Sequence, residues 1–115
     1  MTLEEKTLRC SEAALEKKAH NVVVLDVRTL SSVTDYFFIC SGNSGRQVQA
    51  IADAIHEILK KEGVISLGTE GYQEAKWVLI DYADLVIHIF YDEIRTYYDL
   101  ESLWGEAPRV ELKVS

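Results

Sequence analysis

The pattern of apolar and polar residues is most regular between Ser44 and Gly63. Ser44 and Gln47 have the spacing of a capping box, and Gly63 is typical of the residue that follows a helix. Between these limits apolar side chains recur at steps of three and four residues, at Val48, Ile51, Ala52, Ile55, Ile58 and Leu59. The pattern predicts an amphipathic helix that packs on a sheet.

The preceding part of the chain predicts one helix followed by two strands. Thr2 and Glu5 have capping-box spacing, which predicts a first helix over about residues 2–19. Its apolar residues recur at intervals compatible with one helical stripe, at Leu3, Leu8, Leu15 and Ala19. The runs VVVLDV (22–27) and YFFICSG (36–42) are nearly continuous in β-branched, aromatic and other apolar residues. Runs of this kind are typical of buried strands.

The stretch WVLIDYADLVIHIF, residues 77–90, predicts a β-hairpin. A two-residue loop at Tyr82-Ala83 would pair Asp81 with Asp84, Leu79 with Val86 and Trp77 with His88. One face would be wholly apolar and lie under a helix, with Val78, Ile80, Leu85 and Ile87. The other face mixes aromatic, aliphatic, acidic and histidine side chains, which suits a partly exposed recognition face. Because Tyr-Ala is not the Asn-Gly pair that a type I′ turn prefers, a longer loop with a shifted register stays open.

The remaining segments complete one α/β domain over residues 1–115. A short strand is predicted near 64–67 (VISL), followed by a flexible segment at 68–75 (GTEGYQEA). Residues 92–108 place apolar side chains at mostly helical steps before Gly105 and Pro108, which predicts one or two short helices.

Composition and charge narrow the class of partner. The chain is 48% hydrophobic and 27% charged, as expected of an ordered domain, and it lacks an apolar run that could serve as a leader or a membrane span. We therefore expect a cytoplasmic protein without a membrane partner. Nineteen acidic against twelve basic residues give a net charge of −7, which disfavours sequence-specific binding of nucleic acid. The charge favours a basic protein surface as partner, although a merely solvated acidic surface would have the same composition.

Cysteine, histidine and aspartate residues do not have the spacings of a metal site or a metal-dependent catalytic site. Cys10 and Cys40 lie outside any CxxC pair, and His20, His56 and His88 lack HxxxH or HxxE spacing. Two-metal chemistry on a strand calls for an i, i+2 pair of carboxylates, whereas Asp81 and Asp84 are three residues apart and suit a turn. We expect no metal and no cofactor.

The loop SGNSG (41–45) is the remaining candidate for ligand binding. It lies between a predicted strand and a predicted helix, where free N–H groups and Arg46 could hold a phosphate. It lacks the GxxxxGK[ST] and GxGxxG patterns of nucleotide-binding loops. A tight strand-to-helix connection is the simpler interpretation.

Two long blocks of the sequence closely resemble the ribosomal silencing factor family, also called the Iojap family. They are LDVRTLSSVTDYFFICSGNSGRQVQAIADAI (25–55) and EGYQEAKWVLIDYADLVIHIFYDEIRTYYDLESLWGEAP (70–108). The resemblance implies a nucleotidyltransferase-like mixed sheet of about five strands flanked by helices. Family members often carry glycine where Ala83 stands, and alanine tolerates positive φ poorly, so we expect a different type of turn in this chain.

The function that this resemblance implies is translational repression without catalysis. Family members bind large-subunit ribosomal protein fourteen and block joining of the two ribosomal subunits, and they can form homodimers. The positions expected to contact the partner are Trp77, Leu79, Asp81, Tyr82, Asp84 and His88, with Glu93, Arg95 and Tyr98 as a second group. The alternative is a protein of the same fold that binds or transfers a nucleotide through SGNSG and Asp81/Asp84. The first helix is a candidate for self-association, and its apolar stripe is equally explained by packing on its own domain.

Overall fold

A mixed sheet of five strands forms the centre of the molecule. The computed structural model describes residues 1–112, with the elements α1 (Leu3–Glu16), β1 (His20–Asp26), β2 (Tyr36–Gly42), α2 (Gly45–Lys61), β3 (Gly68–Glu70), β4 (Trp77–Asp81), β5 (Leu85–Tyr91), α3 (Asp92–Tyr98) and α4 (Leu100–Leu103). The strand order is β1-β2-β5-β4-β3, in which β2 and β5 are parallel and the other neighbours antiparallel. The predicted α/β architecture, a mixed sheet flanked by helices, is confirmed.

Helix α1 begins where its sequence predicts and ends three residues early. The Thr2 hydroxyl accepts a hydrogen bond from the Glu5 N–H, and the Glu5 carboxylate accepts one from the Thr2 N–H, which completes the capping box. The helix was expected to reach residue 19, but Lys18 has a φ of +64° and turns the chain into β1. Ala19 is buried in the core although it lies outside the helix, so its place in the apolar stripe was misleading.

Helix α2 has the amphipathic face that its pattern predicts. Val48, Ile51, Ala52, Ile55 and Leu59 are buried against the sheet. They share one core with buried α1 residues and with the strand residues that were expected to lie under a helix. Of the residues expected in the α1 stripe, Leu3 and Ala19 belong to this core, but Leu15 is 46% exposed, and the buried side of α1 consists of smaller side chains. Self-association through α1 stays a prediction.

The β4–β5 hairpin has the predicted faces but not the predicted register. Trp77 pairs with Phe90, Leu79 with His88 and Asp81 with Val86, so the expected pairs of Asp81 with Asp84, Leu79 with Val86 and Trp77 with His88 are wrong by two positions. The reason is the turn, which is centred on Ala83-Asp84 and closed by a hydrogen bond from the Tyr82 N–H to the Leu85 carbonyl. Because successive strand residues alternate between faces, a shift of two leaves every side chain on its predicted face.

The short strand expected at 64–67 is wrong, and β3 lies immediately after it. Ile65 and Leu67 are 73% exposed, while Gly68–Glu70 pairs antiparallel with β4 inside the segment expected to be flexible. All three residues of β3 are exposed. The strand is held by backbone hydrogen bonds to β4 at the edge of the sheet. The pattern of apolar and polar side chains does not predict such bonds.

The C-terminal segment covers part of the sheet face opposite α1 and α2. A second, smaller core lies there, in which Ile94, Leu100, Trp104 and Ala107 pack against β1, β2, β4 and β5. The chain then returns along the edge of the sheet, where the Val110 N–H donates to the Val24 carbonyl. One or two short helices were expected within 92–108, and the structure has two, α3 and α4. They leave the β4 end of this face half-open.

Replacement of Gly71 by alanine should destabilise the fold strongly. Gly71 has a φ of +79°, and a Cβ there would lie 2.1 Å from the Trp77 carbonyl oxygen. Left-handed backbone and a forced shift of β4 each oppose alanine, so we expect the free energy of unfolding in urea to fall by at least about 2 kcal/mol. Gly68→Ala is the matched control, because a Cβ at Gly68 meets nothing within 4 Å. Equal effects of the two substitutions would contradict this account.

Candidate functional site

The half-open sheet face carries a cluster of aromatic rings, which we call the aromatic face. It comprises Phe37 of β2, Trp77 and Leu79 of β4, Val86, His88 and Phe90 of β5, and the covering residues Tyr98 and Trp104. Strand alternation brings the residues of β4 and β5 to this side, and the parallel pairing of β2 with β5 adds Phe37. Trp77, Leu79 and Trp104 are half-buried, and Tyr98 is exposed.

Trp77 is held by rings on three sides. Its ring centroid lies 4.9 Å from that of Phe90, 5.9 Å from that of His88 and 5.0 Å from that of Tyr98. The indole Nε1–H donates a hydrogen bond of 3.0 Å to Nδ1 of His88. Trp77 is thus a partly exposed aromatic side chain in a fixed orientation, which is the usual form of an anchor in a protein interface.

His88 lies beneath this indole and is only 4% exposed. Burial lowers the pKa of its imidazole to about 4, so the ring is neutral at neutral pH. Since Nδ1 accepts the hydrogen bond from Trp77, the ring proton is on Nε2, and this buried nitrogen has no hydrogen-bond partner. His88 therefore makes a single side-chain hydrogen bond, and that bond goes to Trp77.

The two aspartates that stand out in the sequence shape the turn of the hairpin and do not converge. An Asp81 carboxylate oxygen accepts a hydrogen bond of 2.8 Å from the Ala83 N–H. The Asp84 carboxylate lies 2.5 Å from Nζ of Lys6 in α1, on the other side of the sheet. Ala83 between them has a φ of +70°, so this alanine does adopt the positive φ that it was expected to avoid. Both carboxylates have structural partners, in agreement with their interpretation as turn residues.

Three of the other expected contact residues lie in different surroundings. Tyr82 is buried in the core under the helices, and its hydroxyl has no hydrogen-bond partner. Arg95 bonds to the Glu101 carboxylate, the Asn21 carbonyl and the Ser41 hydroxyl at 2.8, 2.6 and 2.8 Å, so its ion pair is with Glu101. Glu93 is exposed on α3. The structure thus brings Trp77, Leu79, His88 and Tyr98 together and places Tyr82 on the opposite side of the sheet.

Several polar groups of the loop between β2 and α2 are hydrogen-bonded within the protein. The Ser44 hydroxyl accepts from the Gln47 N–H, but the Gln47 side chain accepts from the Asn43 N–H, so the expected capping box is only half formed. The Gln47 amide also donates to the carbonyls of Lys17 and Lys18, at 3.1 and 3.0 Å, which ties the loop to the end of α1. This arrangement is that of a tight strand-to-helix connection.

Other titratable groups are dispersed over the molecule. Within residues 1–112, no three His, Cys, Asp or Glu side chains are grouped so that they could hold a metal ion. Cys10 and Cys40 are free and buried, and burial raises the pKa of both thiols. No helix in the part of the chain that the structure describes is long and apolar enough to cross a bilayer.

Sequence reasoning missed Phe37 and Trp104 as members of the face. Phe37 lies 5.1 Å from His88 and 5.3 Å from Trp104, ring to ring, and so connects β5 to the C-terminal segment. Its period-two relation to Ile39 marks a shared face of β2, but the sequence carries no signal that β2 lies beside β5. The membership of Phe37 depends on that strand order.

Comparisons with known proteins point to one family. Residues 1–115 match the family described as ribosomal silencing factor during starvation. The chain is 44% identical over 113 residues to the ribosomal silencing factor RsfS of Halalkalibacterium halodurans, across 98% of this chain and 97% of that protein. It is 32% identical over 92 residues to a mouse protein named mitochondrial assembly of ribosomal large subunit protein 1, across 77% of this chain and 40% of that protein. A crystal structure from Chromobacterium violaceum has a TM-score of 0.89 at 34% identity and covers 100% of this chain and 95% of that one.

The buried imidazole of His88 should make stability depend on pH. Its pKa of about 4 in the folded protein is below the ordinary value of about 6.5, so the unfolded chain takes up the proton first as the pH falls. The contribution of neutral His88 is complete above pH ~6.5 and is lost as the pH falls toward the folded pKa of about 4.

The matched variant is His88→Asn, because asparagine does not titrate and the other titratable groups are common to both proteins. We expect the free energy of unfolding of wild type, relative to this variant, to fall by up to about 3 kcal/mol between pH 7 and pH 4. Urea titrations across this range measure the difference, and two parallel pH profiles would contradict the assignment.

Proposed function

The chain belongs to the ribosomal silencing factor family, and from this membership we propose that it represses translation by binding large-subunit ribosomal protein fourteen in the cytoplasm. The bound protein would cover a surface that the small subunit needs, and so block joining of the two subunits. This mechanism requires a rigid face and sufficient affinity, and it uses neither a catalytic group nor a cofactor.

The observation that carries the proposal is the half-open aromatic face. It presents Trp77 and Leu79 on β4, an interior strand of the five-stranded sheet that has β3 on one side and β5 on the other. The indole is packed against Phe90 and Tyr98, so docking would cost it little side-chain entropy. A partly exposed aromatic anchor with aliphatic neighbours is the composition found at the centre of protein interfaces.

Charge and relatives support a ribosomal protein as the partner. The net charge of −7 would steer this protein toward a basic protein that lies amid RNA, and it disfavours RNA itself as the main contact. The name of the mouse relative refers to assembly of the ribosomal large subunit. We therefore propose the large subunit as the target.

The nine expected contact residues divide by their surroundings into two groups. We propose that Trp77, Leu79 and Tyr98 form the apolar centre of the interface, and that Asp81 and Glu93 are charged residues at its rim. We propose that the four remaining residues act through the fold, because two are buried, Tyr82 and His88, and two form ion pairs within the chain, Asp84 and Arg95. The rim charges would mainly set the association rate and the choice of partner.

Truncation of the anchors should weaken binding to isolated large subunits. For Trp77→Ala we expect a loss of at least about 2 kcal/mol of binding free energy, or roughly 30-fold in Kd, and for Leu79→Ala a smaller loss. Co-sedimentation with large subunits measures binding, and addition of small subunits measures whole-ribosome formation, which wild type should reduce and Trp77→Ala should not.

The control is Ile65→Ala, which removes an equally apolar side chain from the helical side of the sheet. Ile65 lies beside His56 and Lys60 of α2 and is more exposed than either anchor. Circular dichroism and urea unfolding establish that each variant is folded. Sedimentation of wild type and Trp77→Ala to the same extent, or failure of wild type to sediment at all, would overturn the proposal.

A further inference from the structure

His88 is the one polar residue among the buried members of β5. Leu85, Val86, Ile87, Ile89 and Phe90 are all apolar and at most 7% exposed. At position 88 the chain instead buries an imidazole whose Nε2–H has no partner. An orphaned donor of this kind opposes folding, and an apolar side chain of similar size would avoid the penalty. The fold alone therefore gives no reason for a histidine here.

The single hydrogen bond of His88 gives such a reason. Trp77 and His88 are diagonal neighbours across the β4–β5 ladder, because Trp77 pairs with Phe90 and Leu79 with His88. The imidazole lies 5.9 Å from the indole, ring to ring, and Nδ1 receives the indole N–H at 3.0 Å. The acceptor fixes the rotation of the indole about its side-chain bonds. Packing against Phe90 and Tyr98 restricts its position but supplies no polar partner.

We propose that His88 is a positioning residue: it holds the Trp77 indole in the orientation in which the ribosomal partner binds it. This proposal rests on the proposed function, in which Trp77 is the central anchor. His88 itself does not reach the partner, because it lies under Trp77 and packs edge-on against Phe37, which in turn packs against Trp104. The residue thus contributes to affinity through another side chain.

Asparagine and leucine at position 88 separate this role from simple packing. The side chains of asparagine and leucine have nearly the same size and shape. The Asn Oδ1 is separated from Cα by the same number of bonds as the His Nδ1, so His88→Asn keeps an acceptor for the indole N–H. His88→Leu removes the acceptor together with the orphaned donor, whereas His88→Asn buries an amide. We expect His88→Leu to be the more stable of the two variants in urea at pH 7 and the weaker binder.

The experiment measures the indole and the binding separately. The two indole N–H signals of ¹⁵N-labelled protein are assigned with Trp104→Phe, and their hydrogen exchange is compared in wild type, His88→Asn and His88→Leu. We expect the Trp77 signal to stay protected in wild type and His88→Asn, and to exchange at least tenfold faster in His88→Leu. Co-sedimentation with isolated large subunits should give a Kd within about threefold of wild type for His88→Asn and at least tenfold weaker for His88→Leu.

Each contrary result has a definite meaning. Retention of indole protection and of full affinity in His88→Leu would overturn the proposal. Equal loss of affinity in both variants, following their loss of stability, would reduce His88 to a packing residue and would also overturn it. Failure of wild type to bind large subunits would instead overturn the proposed function, and the exchange of the Trp77 indole alone would then support or refute the orienting hydrogen bond.

Discussion

The rest of the structure depends on the burial of β5 on both of its faces. This strand pairs parallel with β2 and antiparallel with β4, so its backbone groups are satisfied on both edges. Its side chains must then be covered above and below, since Leu85 through Phe90 are all buried. Helices α1 and α2 cover one face completely. The other face is covered by the short C-terminal segment. At the margin of this cover Tyr98 contacts Trp77, and part of β4 stays accessible.

The aromatic face is therefore partly accessible because the C-terminal segment covers less of the sheet than helices α1 and α2 cover on the opposite side. A small domain exposes much apolar surface in any case, but here the exposed residues are adjacent and rest on an ordered sheet. Trp77 closes the gap between β4 and the C-terminal segment, so its indole is at once part of the core and part of the surface. A side chain in this position gains rigidity from the core, as the proposed role of an interface anchor requires.

The sequence predicts the parts of this arrangement that depend on local pattern. The faces of β4 and β5, the amphipathic side of α2 and the capping box of α1 follow from spacing along the chain, and each is confirmed. Family membership follows from the resemblance of two long blocks to a known family, and it is confirmed as well. The hairpin register was wrong because a turn with a left-handed alanine has no clear signature, yet the faces survived because the shift was even. The roles of Phe37, Arg95 and β3 depend on which strands and helices are neighbours, and no local pattern encodes that.

Arg95 illustrates how a residue that was expected to contact the partner is instead bonded within the fold. Its guanidinium joins the beginning of β1, the end of β2 and helix α4, through Asn21, Ser41 and Glu101. Since the side chain is only 11% exposed, these bonds form where water competes little, and they fix α3 and α4 relative to the sheet. Tyr98 stands at the end of α3 and contacts the indole of Trp77, so the position of this helix determines how far the face is closed. The hydrogen bonds of Arg95 therefore fix the helix that carries Tyr98, and through Tyr98 they determine how much of the aromatic face stays accessible.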